Sequence, residues 1–329
     1  MSMLRNALVV TALLLCGATL AQELPRARPE EVGLLPERLE HVGRWLQAEI
    51  DGRKIPGAVL LIARNGKVAY FESFGRRDAS TEVPMAREAI FRLHSMSQPF
   101  ASVAAMMLVE DGRLALDDPV ARYIPEFASV TVGVEVPGTN GAPAGLERVP
   151  VRRPVLVHDL LRHTSGLTHG AVGDSAVKRA YRASGLDPNA NESLSAFAGR
   201  LAALPLQSQP GSVWEFGLSS DVLGRVIEVA GGMPLSQFLK SRLLDPLRMK
   251  DTGFQVAEPA RQARLAEPMP DDRVIGIDAV LGNPRIARRG ESAGSGMVST
   301  AADYARFALM LRNGGALDGR RILGPRTVE

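Results

Sequence analysis

Residues 91–100 read Phe-Arg-Leu-His-Ser-Met-Ser-Gln-Pro-Phe, and Ser95 and Gln98 are the informative pair within them. A spacing of three residues places both side chains on one face of a helix, so a basic group at the later position could take the hydroxyl proton. Position 98 instead holds a primary amide, which accepts and donates hydrogen bonds but has no useful basicity. Ser95 and Gln98 as written therefore could not carry out that proton transfer.

The sequence around this segment predicts an α+β protein. Residues 36–51 carry apolar side chains at helical spacing, and residues 99–110 form an apolar helical run. Two short β-rich runs, 58–63 and 68–74, flank an Asn-Gly pair, which is a strong hairpin signal. Further helices are predicted at 155–162, 193–203, 219–231, 234–243 and 303–312. A hairpin followed by helices favours α+β architecture over alternating βαβ units.

The N-terminus predicts export. Arg5 supplies a positive start, residues 7–15 form an apolar run, and Thr19-Leu20-Ala21 offers a small-residue cleavage site. The mature chain would then begin after a signal peptide of residues 1–21, in the periplasm or outside the cell. The apolar run is too short to span a bilayer, so no stable membrane span is expected.

Cys16 is the one cysteine of the chain and lies inside this N-terminal segment. Leucines precede it where a lipoprotein signal needs a small residue, so lipidation is the less favoured interpretation. A chain cleaved near Ala21 would have no disulfide, no thiolate nucleophile and no cysteine metal site.

Composition and charge favour an ordinary globular enzyme-sized protein. The chain has 329 residues, of which 45% are hydrophobic and 23% charged, with a net charge of +3. Its basic clusters, Arg152-Arg153 and residues 285–289, are short and accompany no recognised nucleic-acid motif. We expect no nucleic-acid partner and no cofactor.

Five further segments give the chain a family resemblance. Residues 56–75, 160–170, 210–235, 245–254 and 295–315, taken with the Ser95 segment, resemble the serine β-lactamase and penicillin-binding-protein superfamily. The resemblance is closest to the class C β-lactamase-related proteins and the family VIII esterases. It implies a β-lactamase/transpeptidase-like fold, with an antiparallel sheet flanked by helices and a second, mostly helical part.

The resemblance also implies how the domain from 22 to 329 is divided. The sheet part would come from about 31–95 and 290–329, and the helical part from about 96–289. In the superfamily, a late strand carries a Lys-Thr-Gly motif or its Trp- or His-containing equivalent. No such motif follows residue 312 in this sequence, so we expect a C-terminally truncated chain with an incomplete sheet.

The resemblance assigns roles to three site residues. Ser95 matches the nucleophile position, and Gln98 matches the base position, where the family has lysine. Phe216 matches the position of a catalytic tyrosine, so the ring is kept and the hydroxyl is lost. Gly217 replaces a small polar residue of that element.

Other candidate groups have weaker patterns. His94 adjoins Ser95, but adjacent helix positions point about 100° apart. His163 and His169 are interpreted as loop-ordering hydrogen bonders, and the spacing of nearby His and Asp residues matches no strong zinc motif. Ser292 lies in a Gly-x-Ser-x-Gly run, yet no histidine follows it, as an α/β-hydrolase would require.

Two functional hypotheses follow. The first is an exported, catalytically degenerate serine-hydrolase homologue that persists as a binding protein for a small ester, amide or peptide. The second is a weak hydrolase of small esters or β-lactam-like amides that uses Ser95 through an acyl-enzyme. The oligomeric state is open.

Overall fold

The computed structural model describes residues 23–137, 145–269 and 282–329. The predicted signal peptide and Cys16 lie outside these residues. Within them, no helix combines the length and the hydrophobicity that a membrane crossing needs.

The first elements have the predicted boundaries. Helix α1 spans Pro36–Asp51, and strands β1 (Gly57–Arg64) and β2 (Lys67–Gly75) form an antiparallel hairpin. Asn65 and Gly66, at its turn, have φ angles of 54° and 77°. A two-residue hairpin turn requires positive φ at both positions, which Asn and Gly adopt more easily than other residues. The hairpin prediction is confirmed.

The predicted helices are also present, with ends that mostly lie within two residues of the predicted ones. After α1 the helices are α2 (Gln98–Glu110), α3 (Val157–Leu161), α4 (Ala176–Ala183), α5 (Leu194–Ala202), α6 (Ser219–Gly231), α7 (Leu235–Leu239), α8 (Pro259–Gln262), α9 (Ala301–Arg312) and α10 (Pro325–Val328). A π-helical turn, Lys240–Leu244, continues α7. The short helices α4 and α8 were not predicted, because four to eight residues give little periodicity to detect.

All strand pairing between the named strands of the described residues is antiparallel. The remaining strands are β3 (Phe91–Arg92), β4 (Thr131–Val136), β5 (Gly145–Pro150), β6 (Val298–Ser299), β7 (Ala316–Leu317) and β8 (Arg320–Arg321). They pair as β3–β6, β4–β5 and β7–β8, so these residues contain four two-stranded sheets rather than one continuous sheet. The α+β class is confirmed, and the antiparallel pair β4–β5 lies within the part, about 96–289, that was expected to be mostly helical.

Helices cover both faces of the first hairpin. Side chains alternate between the faces of a strand. Tyr70 and Phe74 of β2 lie against Gly43 of α1, whereas Phe71 packs in a cluster with Leu309 of α9. This arrangement attaches the hairpin to the helical core through α9.

Helix α2 is buried along much of its length. Phe100, Ala104 and Leu108 are fully buried on it, and it packs against α6 and α7. The ring of Phe100 stacks on Phe307 of α9, with centroids 4.3 Å apart. The first turn of α2, which holds Gln98, is therefore fixed from several sides.

A buried carboxylate joins α6 to the loop before β6. Asp221 Oδ1 accepts hydrogen bonds from Ser292 Oγ at 2.6 Å and from the Gly294 backbone N–H at 3.1 Å. Only glycine fits at 294, because a Cβ there would lie 2.6 Å from the Asp221 carboxylate. Burial raises the pKa of Asp221 to about 6, although both hydrogen bonds favour its charged form.

The raised pKa of Asp221 predicts an unusual pH dependence of stability. The folded state binds a proton to this carboxyl below about pH 6, where the unfolded state is still ionised. Between pH 7 and pH 5 the wild type should therefore gain about 1 kcal/mol of unfolding free energy relative to Asp221→Asn. Urea denaturation of both proteins at the two pH values measures the difference.

Comparison with the variant removes an opposing effect. Burial lowers the pKa values of His94, His163 and His169, so protonation of these groups in the unfolded chain destabilises both proteins as the pH falls. An unfolding free-energy difference between the two proteins that stays constant from pH 7 to pH 5 would contradict the prediction.

Candidate functional site

Ser95 lies in the 3-10 turn His94–Ser97, immediately before α2. Its side chain is exposed, and its hydroxyl makes no hydrogen bond to any described residue. Two residues later, Ser97 is fully buried, and its Oγ accepts the backbone N–H of Met297 at 3.1 Å. The buried serine thus fastens the turn to the loop before β6, while Ser95 remains free at the surface of a cavity.

Gln98 is the first residue of α2 and bridges two distant segments. Its Oε1 lies 3.1 Å from His163 Nε2, and its Nε2 lies 3.5 Å from the carbonyl oxygen of Gly294. A backbone carbonyl can only accept, so the amide must present its N–H to Gly294 and its oxygen to His163. The side chain at the base position is therefore engaged as both donor and acceptor.

This orientation fixes the tautomer of His163. The Gln98 oxygen accepts, so His163 must carry its proton on Nε2. The other ring nitrogen, Nδ1, is buried and has no hydrogen-bond partner among the described residues. Burial also lowers the pKa of His163, so the imidazole is neutral at pH 7.

His163 does more than the sequence interpretation assigned to it. Its backbone carbonyl does order a loop, because it accepts the N–H of Glu215 at 2.9 Å. Its ring, however, contacts Gln98 and stacks on Phe216 with centroids 5.6 Å apart. Sequence reasoning missed this contact because 65 residues separate His163 from Gln98.

Phe216 lies close to Gln98 through His163. The Phe216 side chain is 41% exposed and its ring is stacked on the imidazole, so it offers no group that could pass a proton. Position 217 requires glycine for a steric reason, because a Cβ there would lie 2.6 Å from the backbone of Thr168. The family-assigned positions 98 and 216 are therefore neighbours of one imidazole, and neither carries a titratable group.

A lysine, Lys178, does lie near the segment that contains Phe216, but its ammonium is bonded to a carboxylate. Lys178 Nζ lies 2.9 Å from Glu215, which also accepts a hydrogen bond from Thr168 at 2.6 Å. Burial alone would raise the pKa of Glu215, but these two hydrogen bonds and the Lys178 charge hold it below its ordinary value. The ammonium is thus committed to a carboxylate and does not line the cavity that contains Ser95.

The rival candidates lie elsewhere. His94 lines a separate cavity of about 180 Å³, and both burial and the charge of Arg92 lower its pKa. Ser292 is 1% exposed, and its hydroxyl donates to Asp221. In the part of the chain that the structure describes, no group of three His, Cys, Asp or Glu side chains could hold a metal ion.

The Ser95 cavity has a volume of about 440 Å³, within the usual range for small-molecule sites. Its polar end is formed by Ser95, Gln98 and His163. The rest of its lining is Pro99, Ser102, Val103, Met106, Leu161, Ser220, Leu223, Leu311, Leu323, Thr327 and Val328. His163 is the one titratable side chain among these described residues.

Comparisons with known proteins identify the family of the chain. The Beta-lactamase family profile matches residues 42–328. Protein Rv1367c of Mycobacterium tuberculosis is 36% identical over 281 residues, which cover 85% of this chain and 68% of that protein. Esterase EstB of Burkholderia gladioli is 32% identical over 305 residues, covering 88% of this chain and 73% of EstB.

Among solved structures, one is described as EstCE1, a hydrolase with promiscuous acyltransferase activity. It superposes with a TM-score of 0.71 at 30% identity, covering 88% of this chain and 75% of that chain. The fold, the extent of the profile match and the relatives together place the chain in the Beta-lactamase family of serine hydrolases.

Proposed function

We propose that the protein is an exported, catalytically degenerate member of this family that binds a small ester, amide or peptide and turns it over negligibly. The observation that carries the proposal is the Gln98 carboxamide, held between His163 and Gly294 at the position three residues after Ser95. An amide so engaged cannot accept the serine proton. The exposed hydroxyl of Ser95 has no base bonded to it.

The expected loss of activity is large. General acid–base assistance contributes roughly 10²–10⁴-fold to rate, and members of a cooperative nucleophile unit can cost about 10⁶-fold when removed. Gln98 and Phe216 replace, by family resemblance, a lysine and a tyrosine of one such unit. His163 does not compensate, because its Nε2–H points to Gln98 and its Nδ1 is buried.

The names of the relatives support the ligand class. EstB is named an esterase, and a Penicillium rubens relative that is 31% identical is named lovastatin esterase. Both names refer to ester hydrolysis. The Ser95 cavity offers a hydroxyl at one end and mostly apolar side chains beyond it. An acyl compound is therefore the ligand that we propose.

A second candidate function is weak hydrolysis of such esters through a Ser95 acyl-enzyme. One specific observation favours it, since Ser95 is exposed at the cavity and its hydroxyl is not engaged elsewhere. A hydroxyl in that state can still react slowly when hydroxide or water removes its proton.

Covalent labelling separates the two functions. We expect a fluorophosphonate probe to modify Ser95 slowly and incompletely at pH 7, because no side chain is placed to deprotonate the hydroxyl. Intact mass measured over time gives the rate. Ser95→Ala should abolish the adduct, whereas Ser292→Ala, which removes a buried hydroxyl, should leave it unchanged. Rapid stoichiometric modification that depends on Ser95 would refute degeneracy.

Export is tested on the protein itself. The charged start, the apolar run and the small-residue site predict cleavage after Ala21, giving a mature protein that begins at Gln22. N-terminal sequencing of the protein released from intact cells, or from their periplasm, measures the cleavage point. Arg5→Glu should slow processing, since the positive start would be lost. A lipid-modified Cys16 as the first residue would instead establish the lipoprotein route.

A further inference from the structure

The Ser95 cavity has a polar end without any charge. Of its fourteen lining residues, none is Asp, Glu, Lys or Arg, and the one titratable side chain is His163. Burial lowers the pKa of His163, so this ring is neutral at pH 7. Whatever occupies the cavity therefore meets no ionic partner among the described residues.

The polar end nevertheless offers hydrogen-bond donors. The Ser95 hydroxyl has no partner among the described residues. Gln98 gives one N–H to Gly294, which leaves the second N–H of its amide without a described acceptor. The amide oxygen is already occupied by His163. Two free donors and no cation suit a neutral carbonyl oxygen, which accepts hydrogen bonds and carries no charge.

Beyond this end the cavity follows α2, and its lining is mostly apolar, with hydroxyl groups only at Ser102, Ser220 and Thr327 among the described residues. The lining side chains Pro99, Val103 and Met106 lie on one face of the helix, opposite Leu223 of α6 and Leu323. From Ser95 to Met106 the helix rises about 16 Å, a distance that an extended acyl chain can follow. Apolar burial along this wall supplies the affinity, and the polar end fixes the orientation.

Resting on the proposed function, we infer that the site selects uncharged acyl compounds, esters or amides, over the corresponding free acids. The carbonyl lies at Ser95 and Gln98, and the apolar chain lies along α2 toward Met106. A free carboxylate in the same place would lose its hydration without gaining a cation, a cost that disfavours its binding. The preference for uncharged ligands arises because the side chain at position 98 carries no charge. It is therefore a consequence of having Gln98 in this chain.

Hexanamide and hexanoate provide a test, because they share a shape and differ in charge. Ligand-observed NMR titrations of the purified protein at pH 7.5 should give hexanamide a dissociation constant at least about tenfold lower than that of hexanoate. Gln98→Lys places an ammonium at the polar end, so it should reverse the preference in favour of hexanoate. Equal affinities in the wild type, no hexanamide binding, or an unchanged preference in Gln98→Lys would each overturn the inference.

Blocking variants locate the acyl chain. Ser102→Trp, one helical turn beyond Gln98, and, independently, Thr327→Trp should fill the cavity and weaken hexanamide binding at least about tenfold. Val229→Trp is the matched control, because Val229 lies on α6, is 38% exposed and does not line the cavity. Thermal melting verifies that each variant is folded. Hexanamide affinity that survives both blocking variants would show that the ligand binds elsewhere.

A separate measurement, ester hydrolysis, tests the proposed function. Methyl hexanoate is incubated with the same preparations, and methanol release is measured. Brisk Ser95-dependent release would refute degeneracy while leaving the neutral-ligand preference intact. Absence of the preference, with no methanol released, would refute the inference and leave degeneracy standing.

Discussion

Burial of α2 is the constraint on which the rest of the site depends. Phe100, Ala104 and Leu108 are fully enclosed, and a core packed to such density cannot let the helix rotate or slide without opening voids. The 3-10 turn before the helix is fastened by Ser97 to the backbone of Met297. Ser95 and Gln98 consequently have fixed positions whatever chemistry they retain.

The Gln98 amide is well accommodated where it lies. It satisfies the Nε2–H of His163 and the carbonyl of Gly294, and Gly294 is held in turn by buried Asp221. A lysine at position 98 would keep the second contact but would meet the N–H of His163. The imidazole would then have to move its proton to Nδ1, which is buried without a described acceptor. Tertiary contacts around position 98 therefore match an amide better than an ammonium.

Local pattern predicted the long elements because their signals are local. Helix α1 and the β1–β2 hairpin have the predicted limits, since helical spacing, an Asn-Gly turn and β-branched runs act within a few residues. The short helices are too brief to show a helical period, and the pairing of β3 with β6 joins residues about 200 apart. Their few residues carry no period of their own, so tertiary packing determines them.

The sequence by itself determined the fold class, the family resemblance and the substitutions at positions 98 and 216, because residue identity alone excludes a basic or phenolic group there. The tertiary structure decided what those substitutions do. It brought His163 to Gln98 and Phe216, committed Lys178 to Glu215, and placed no Asp, Glu, Lys or Arg among the described residues that line the Ser95 cavity. These facts join side chains from separate parts of the chain, and hydrogen bonding, stacking and electrostatics act through space rather than along the sequence.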